Sequence, residues 1–296
     1  MNKRILIVAS FIIFLAIPFS AFGSTSFENI VAFGDSLTDN GKYPTERNTY
    51  LNDVHGFGYF TDGAVWVETL TSTMGSSTLY DHAYGGATTS YDNPKAFGSL
   101  IYGLQWQLEN AYPSVGGNDT LFTVWAGAND FFQVRDFSLA ATNIVTALGK
   151  LKENGAQNIL VPNLPDLGMT PGFYNNTDPN VTTAQASAWT QGFNNQLHSG
   201  LQAFAGENSS MNIYFLDVYA LFSDLLLMDN GEINPVYLSS LFYDDFHPNS
   251  IGHTILAAEA YNVLQSGPMS APIPGAVWLL GSGFLGFAGL RRKQKK

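Results

Sequence analysis

The chain has 296 residues, 45% of them hydrophobic and 14% aromatic, which is ample material for one large packed domain. Seven of its thirteen Lys and Arg residues lie at the two ends, leaving six cations against twenty-four acids in residues 24–270, a balance near −18 that argues against nucleic acid or anionic lipid as primary partners. Cysteine is absent, which excludes disulfides, thiol catalysis and Cys-based zinc sites.

The first segment, Met1-Asn2-Lys3-Arg4 followed by an uncharged run from Ile5 to Phe22 and Ala21-Phe22-Gly23 ahead of Ser24, reads as a secretory signal peptide over residues 1–23. No Pro/Ser-rich linker or charge block interrupts residues 24–268, which are expected to form a single domain. There, strand-like runs alternate with helical patterns: Ile30 to Phe33, a helix around Val65 to Leu70, Leu79 to Ala83, a helical pattern over Ser99 to Glu109, and Leu121 to Trp125. Next come a helix from about Leu139 to Lys152, Ile159 to Val161, a helix from about Thr183 to Phe204, Ile213 to Leu216, and a last helix from Ser250 to Leu264. Strands alternating with helices predict an α/β fold, a three-layer α/β/α sandwich around a mostly parallel sheet of about five strands. Residues 41–64 and 168–182, rich in Gly, Asn, Pro and Tyr, read as loop insertions. At the far end, residues 269–296 combine Pro272-Ile273-Pro274, an uncharged stretch from Gly275 to Leu290 and a basic cluster from Arg291 to Lys296. That stretch approaches the roughly 20 residues that crossing a bilayer takes and is read as a transmembrane segment with a basic tail.

In such sheets the functional loops leave the carboxyl ends of the strands, and Ser36, Gly86 and Asn129 each come just after a strand-like run. A serine hydroxyl needs a base to take its proton as it attacks a carbonyl. His247 is the candidate, and Asp244, three residues earlier, can orient its ring; Asp245 is the nearest competitor, expected to point away. Pro248 discourages helix at His247, so the pair should lie on a loop entering the last helix. Oxyanion donors are available from the Ser36 amide at the start of a short helix, from the Gly86 amide, and from the Asn129 side chain. Gly85 competes with Gly86, and Asn129 has an alternative role as a helix cap. Asp35 reads as a support of the serine turn and His253 as a packing residue of the last helix. His55, His82 and His198 lack ligand-like spacing, so neither a metal nor a cofactor is expected. Phe131 and Phe132 are the expected liners of an apolar cleft, while most of Phe57, Tyr59, Phe60, Trp66 and Trp106 are expected in the core.

Four sequence blocks resemble the GDSL family of esterases and lipases, also called SGNH hydrolases. They are Phe33-Gly34-Asp35-Ser36-Leu37-Thr38-Asp39, Ala83-Tyr84-Gly85-Gly86-Ala87, Gly127-Ala128-Asn129-Asp130, and Asp244-Asp245-Phe246-His247-Pro248 with Gly252-His253. Val161-Pro162-Asn163-Leu164-Pro165-Asp166-Leu167-Gly168 resembles a further stretch of the lipase-like, plant-type branch, and the likeness spans roughly residues 28–266. The resemblance implies Ser36 as nucleophile, His247 as base and then acid, Asp244 as its orienter, and Ser36, Gly86 and Asn129 as the oxyanion hole. Asp81-His82 stands where the family usually has asparagine before its glycines, and Asp39-Asn40-Gly41-Lys42 replaces the usual Asp-x-Gly-Asn; both concern support of the loops. The C-terminal segment resembles the PEP-CTERM bacterial sorting signals, with Ala271-Pro272-Ile273-Pro274 in place of the usual Val-Pro-Glu-Pro. That implies delivery to the cell envelope and a sorting enzyme as partner. The expected activity is that of an exported serine esterase or lipase whose substrate is a lipid, a small ester or an acetylated polysaccharide. The alternatives are an O-deacetylase of extracellular polysaccharide and a non-catalytic surface protein.

Overall fold

A computed structural model of the chain describes residues 25–41, 60–94, 99–110, 116–175 and 181–269. Five strands, β1 (Asn29–Gly34), β2 (Thr78–Asp81), β5 (Gly117–Trp125), β6 (Ala156–Pro162) and β7 (Asn212–Leu216), form one sheet in the order β2-β1-β5-β6-β7, parallel throughout. Ile30, Val31, Ala32 and Phe33 of β1 and Leu121, Phe122 and Val124 of β5 are fully buried, as strands covered on both faces require. Helix α1 (Trp66–Met74) packs on the last helix, α9 (Ser250–Ser266), and α4 (Phe137–Glu153) packs on α6 (Thr183–Glu207). The result is the expected three-layer α/β/α sandwich.

The long helices begin where the sequence supplies caps. Asp136 accepts the Leu139 amide ahead of α4, Thr182 and Gln185 form a capping box at α6, and Asn249 accepts the amides of Ile251 and Gly252 at α9. Parallel register then levels the strand ends: Gly34 of β1 pairs with Trp125 of β5, so the loops carrying Ser36 and Asn129 leave the sheet side by side. Gly34 makes this approach possible, since a β-carbon there would stand 2.2 Å from the Trp125 carbonyl oxygen.

Several expectations change. The run from Ser99 to Glu109 is not one helix; it is β4 (Ser99–Tyr102), paired antiparallel with β3 (Asp92–Asn93), and then α2 (Leu104–Asn110). The break falls at Tyr102, whose φ is 74°, and at Gly103, whose amide donates to the Tyr91 carbonyl and where a β-carbon would meet the Ser90 carbonyl at 2.4 Å. Close packing against the hairpin thus overrides helical periodicity. Short helices α3 (Ala128–Phe132), α5 (Pro171–Tyr174), α7 (Val218–Leu226) and α8 (Pro235–Leu241) also appear, the last two started by the caps Asp217 and Asn234. Helix α5 lies within a stretch read as loop.

The signal peptide, the uncharged stretch from Gly275, the proline pair and the basic cluster all lie outside the described residues, as do Phe57, Tyr59, His55 and most of the 41–64 insertion. Among the described residues no helix is long and apolar enough to cross a membrane.

Candidate active site

The turn between α8 and α9 carries the imidazole. Asp244 Oδ1 accepts the amides of Phe246 and His247, both at 2.8 Å, which curls the chain so that the Asp244 carboxylate faces the His247 ring. Nδ1 of His247 lies 2.9 Å from Oδ1 and 2.8 Å from Oδ2 of Asp244, and Nε2 lies 2.8 Å from Ser36 Oγ. A carboxylate only accepts, so Nδ1 carries the proton and Nε2 is left to receive one from the serine. Asp245 is exposed, and its backbone carbonyl accepts the Gly172 amide at 2.9 Å. Pro248 pairs across the turn with Phe242, and the Tyr243 amide donates to the His247 carbonyl at 2.8 Å. Burial works against charge on Asp244, yet the imidazole and the two amides together outweigh it and hold its carboxyl below the ordinary value.

Ser36 sits in a single hydrogen-bonded turn after β1 rather than at the start of a helix: the Asp35 carbonyl accepts the amides of Thr38 and Asp39, and Asp35 Oδ1 accepts that of Leu37. The amides at 37, 38 and 39 are thereby used, whereas among the described residues the fold supplies no acceptor for the amides of Ser36 and Gly86. Gly86 has a φ of 83°, a conformation that glycine adopts without strain. The neighbouring Gly85 amide, its rival as donor, is spent on Asp39 Oδ2 at 2.7 Å. Asn129 lies inside α3, so it is not the cap; Nδ2 donates to the Ala87 carbonyl at 3.0 Å and reaches Asp35 Oδ2 at 3.4 Å.

Four buried carboxylates tie these loops together, a role that reading the blocks singly does not reveal. Asp39 of the serine loop holds Gly85, and Asp81, ahead of the glycines, accepts the Asn40 amide at 2.9 Å in return. Asp130 accepts the Thr89 amide at 2.8 Å and its hydroxyl at 2.9 Å, and Asp35 meets Asn129. Asp81, which stands where the family usually has asparagine, and Asp39, which keeps the usual aspartate of the first block, are therefore the residues that cross-link the first two loops. Burial lifts the carboxyl of Asp35 to about 7 and that of Asp130 to about 6, against partial relief from their amide donors.

Asp35 binds its proton more tightly folded than unfolded, so its contribution to stability is complete at acid pH and drains away as pH rises from about 4 through about 7. Asp35→Asn is expected to reduce the loss of stability between pH 5 and pH 8 by on the order of 2 kcal/mol. Urea unfolding midpoints at the two pH values check this; an unchanged difference contradicts it.

His253 is buried, its Nδ1 accepting the Trp66 amide at 3.2 Å, and burial pushes its pKa down to about 3. It joins α9 to α1, outside the relay. His82 stacks on Phe33 at 5.5 Å and is likewise driven down by burial, to about 4. Phe131 and Phe132 are half-buried in an aromatic cluster with Phe173, Trp189 and Phe246, the last of these one residue before His247. Phe60 lies 5.0 Å from the His247 ring and against Gly85, where a β-carbon would come within 2.1 Å of it. Trp66 is core, and Trp106 packs on Tyr84 and Tyr102.

Comparison with known proteins gives the family. Residues 30–260 match the family model for GDSL-like lipase/acylhydrolase. The chain is 30% identical over 205 residues to a phosphatidylcholine-sterol acyltransferase of Aeromonas hydrophila, covering 65% of this chain and 59% of that protein. It is 28% identical over 209 residues to a thermolabile hemolysin of Vibrio parahaemolyticus, covering 66% of this chain and 47% of that protein. The chain therefore spans only part of the length of these relatives. A structure described as a GDSL-like lipase from Parabacteroides merdae shares the fold, with a TM-score of 0.55 at 12% identity over 82% of this chain and 97% of that one. From the matched blocks, the sheet order and these likenesses, the chain belongs to the GDSL-like lipase/acylhydrolase family.

Proposed function

We propose that the protein is an exported serine esterase or lipase that cleaves carboxylic esters through an acyl-serine intermediate. The observation that carries this reading is the unbroken line of contacts from Asp244 through His247 to Ser36, beside two amides for which the described residues supply no acceptor. In it, Ser36 Oγ attacks the ester carbonyl carbon while His247 Nε2 takes the hydroxyl proton. The Ser36 and Gly86 amides and the Asn129 side chain receive the developing oxyanion, the long Asn129–Asp35 contact being the one exchanged for it. Collapse breaks the ester C–O bond, and His247 returns the proton to the departing alcohol. Water, deprotonated by the same imidazole, then releases the acid and restores Ser36. Export rests on the N-terminal residues, and a sorting enzyme acting at the C-terminal segment belongs to the same proposal.

The relatives named for phosphatidylcholine and haemolysis favour a lipid ester over an acetylated polysaccharide as substrate. Profiling nitrophenyl esters of increasing acyl length, with acetate release from acetylated polymer and fatty-acid release from phosphatidylcholine, tests both points. A burst of about one nitrophenol per protein is the expected result. Absence of turnover on every ester refutes the reading, and acetate release alone moves it to a deacetylase. Asn129→Ala is expected to lower kcat by about 10²- to 10³-fold with little change in KM. Steady-state kinetics checks this, and a change confined to KM contradicts it.

A further inference from the structure

Of the eleven large apolar side chains exposed among the described residues, five stand more than half out of the fold. Among the described residues Val134 is 94% exposed, Val236 67%, Leu139 58%, Ile251 56% and Tyr237 54%. All five lie on segments that carry the site or adjoin it. Val134 and Leu139 come just after the helix that holds Asn129, while Val236, Tyr237 and Ile251 lie on the helices either side of the Asp244–His247 turn. That turn locks its two helices together, since Asn249 donates through its side chain to the Ser240 carbonyl and through its amide to that of Leu241. Helix α8, seven residues and roughly 10 Å long, therefore runs alongside the turn, with Leu238 and Leu241 buried and Val236 and Tyr237 outside. Its buried face is apolar, and its outer face sets Val236 and Tyr237 beside Ser239 and Ser240.

Val134 is the sharper observation. Its φ is 55°, a left-handed conformation that β-branched residues rarely adopt. The turn is pinned by the Val134 amide on the Phe131 carbonyl at 2.9 Å and the Arg135 amide on that of Asp130 at 3.0 Å. A strained backbone thus holds out an aliphatic side chain that the protein itself hardly packs, five residues from Asn129. Charge narrows what such a surface can meet. No Lys or Arg occurs between Lys152 and Arg291, Arg135 is paired with Asp92 at 2.6 Å, and Asp229, Glu232 and Asp245 lie along the same stretch as α8. An anionic membrane would be repelled, whereas an interface without net charge would accept the apolar contacts.

We propose that these side chains form a rim that seats the site on a zwitterionic phospholipid interface, from which ester is drawn. The proposal rests on the ester-hydrolase reading above and extends it to the physical state of the substrate. The test compares the full chain with a triple variant, Val134→Asn, Val236→Ser and Ile251→Ser. Asparagine suits the left-handed position, and serine is tolerated in the first turn of a helix. Each is assayed on nitrophenyl butyrate and on a short-chain phosphatidylcholine below and above its critical micelle concentration. The parent is expected to accelerate by about tenfold or more on crossing that concentration. The triple variant should keep its rates on both monomeric esters within about twofold and lose at least about tenfold on micelles. If the triple variant does not fold, Val134→Asn alone should still lose about threefold on micelles.

Equal acceleration of parent and variant, no acceleration in the parent, or faster hydrolysis of anionic than zwitterionic micelles overturns the proposal. Hydrolysis of nitrophenyl butyrate with none of phosphatidylcholine overturns it while leaving the esterase reading standing. Failure on both esters removes the two together.

Discussion

Ser36→Ala is expected to lower ester hydrolysis by about 10⁵- to 10⁶-fold while leaving the protein folded. The substitution removes one oxygen from a nearly buried residue whose turn is held by the Asp35 carbonyl and carboxylate, not by the serine hydroxyl. What disappears is the atom 2.8 Å from His247 Nε2. Because hydroxyl and imidazole act as one unit, Ser36→Ala combined with His247→Ala should be hardly worse than either alone. Initial rates on nitrophenyl butyrate, with thermal unfolding as the control, check this. Turnover within about a hundredfold of the parent would show that the serine does not carry the reaction.

Asp244→Asn is expected to cost about 10⁴-fold in kcat with the geometry kept. The reason is specific to this turn. Oδ1 already accepts the Phe246 and His247 amides, so an asparagine must place its carbonyl oxygen there and turn its NH₂ toward Nδ1. That group can only donate, so Nδ1 loses its proton and the proton moves to Nε2, where it blocks transfer from Ser36. Measuring kcat and KM for the variant checks the point. A loss under about tenfold would mean that the carboxylate neither fixes the tautomer nor stabilises the charged ring.

The sheet and the Asp244–His247 pair were legible in the sequence because their signals are local, whereas Ser36, 211 residues from His247, was read from the resemblance of the four blocks. Ile30 to Phe33 and Leu121 to Trp125 are apolar because both faces of the strand are covered, and Asp244 reaches His247 within one turn of chain. The cross-links were not legible, because which carboxylate meets which amide depends on the lateral register of separate strands. Asp39 holding Gly85 while Asp81 holds Asn40 is a property of β1 lying beside β2. Ser99 to Glu109 misled for a similar reason, since its helical spacing is real but its first half is recruited into a hairpin. The cap offered as the alternative role for Asn129 falls away because the helix starts one residue earlier, at Ala128. Nor does composition mark the exposed rim: Val236 and Leu238 are alike on paper, and only packing decides which faces water.

Treating the full chain with a fluorophosphonate and locating the adduct by mass spectrometry addresses the covalent step itself. One adduct per chain is expected, on the Ser36 peptide, strongly suppressed in His247→Ala. A folded parent that takes no label, or takes it on another residue, would contradict the assignment of Ser36 as the nucleophile.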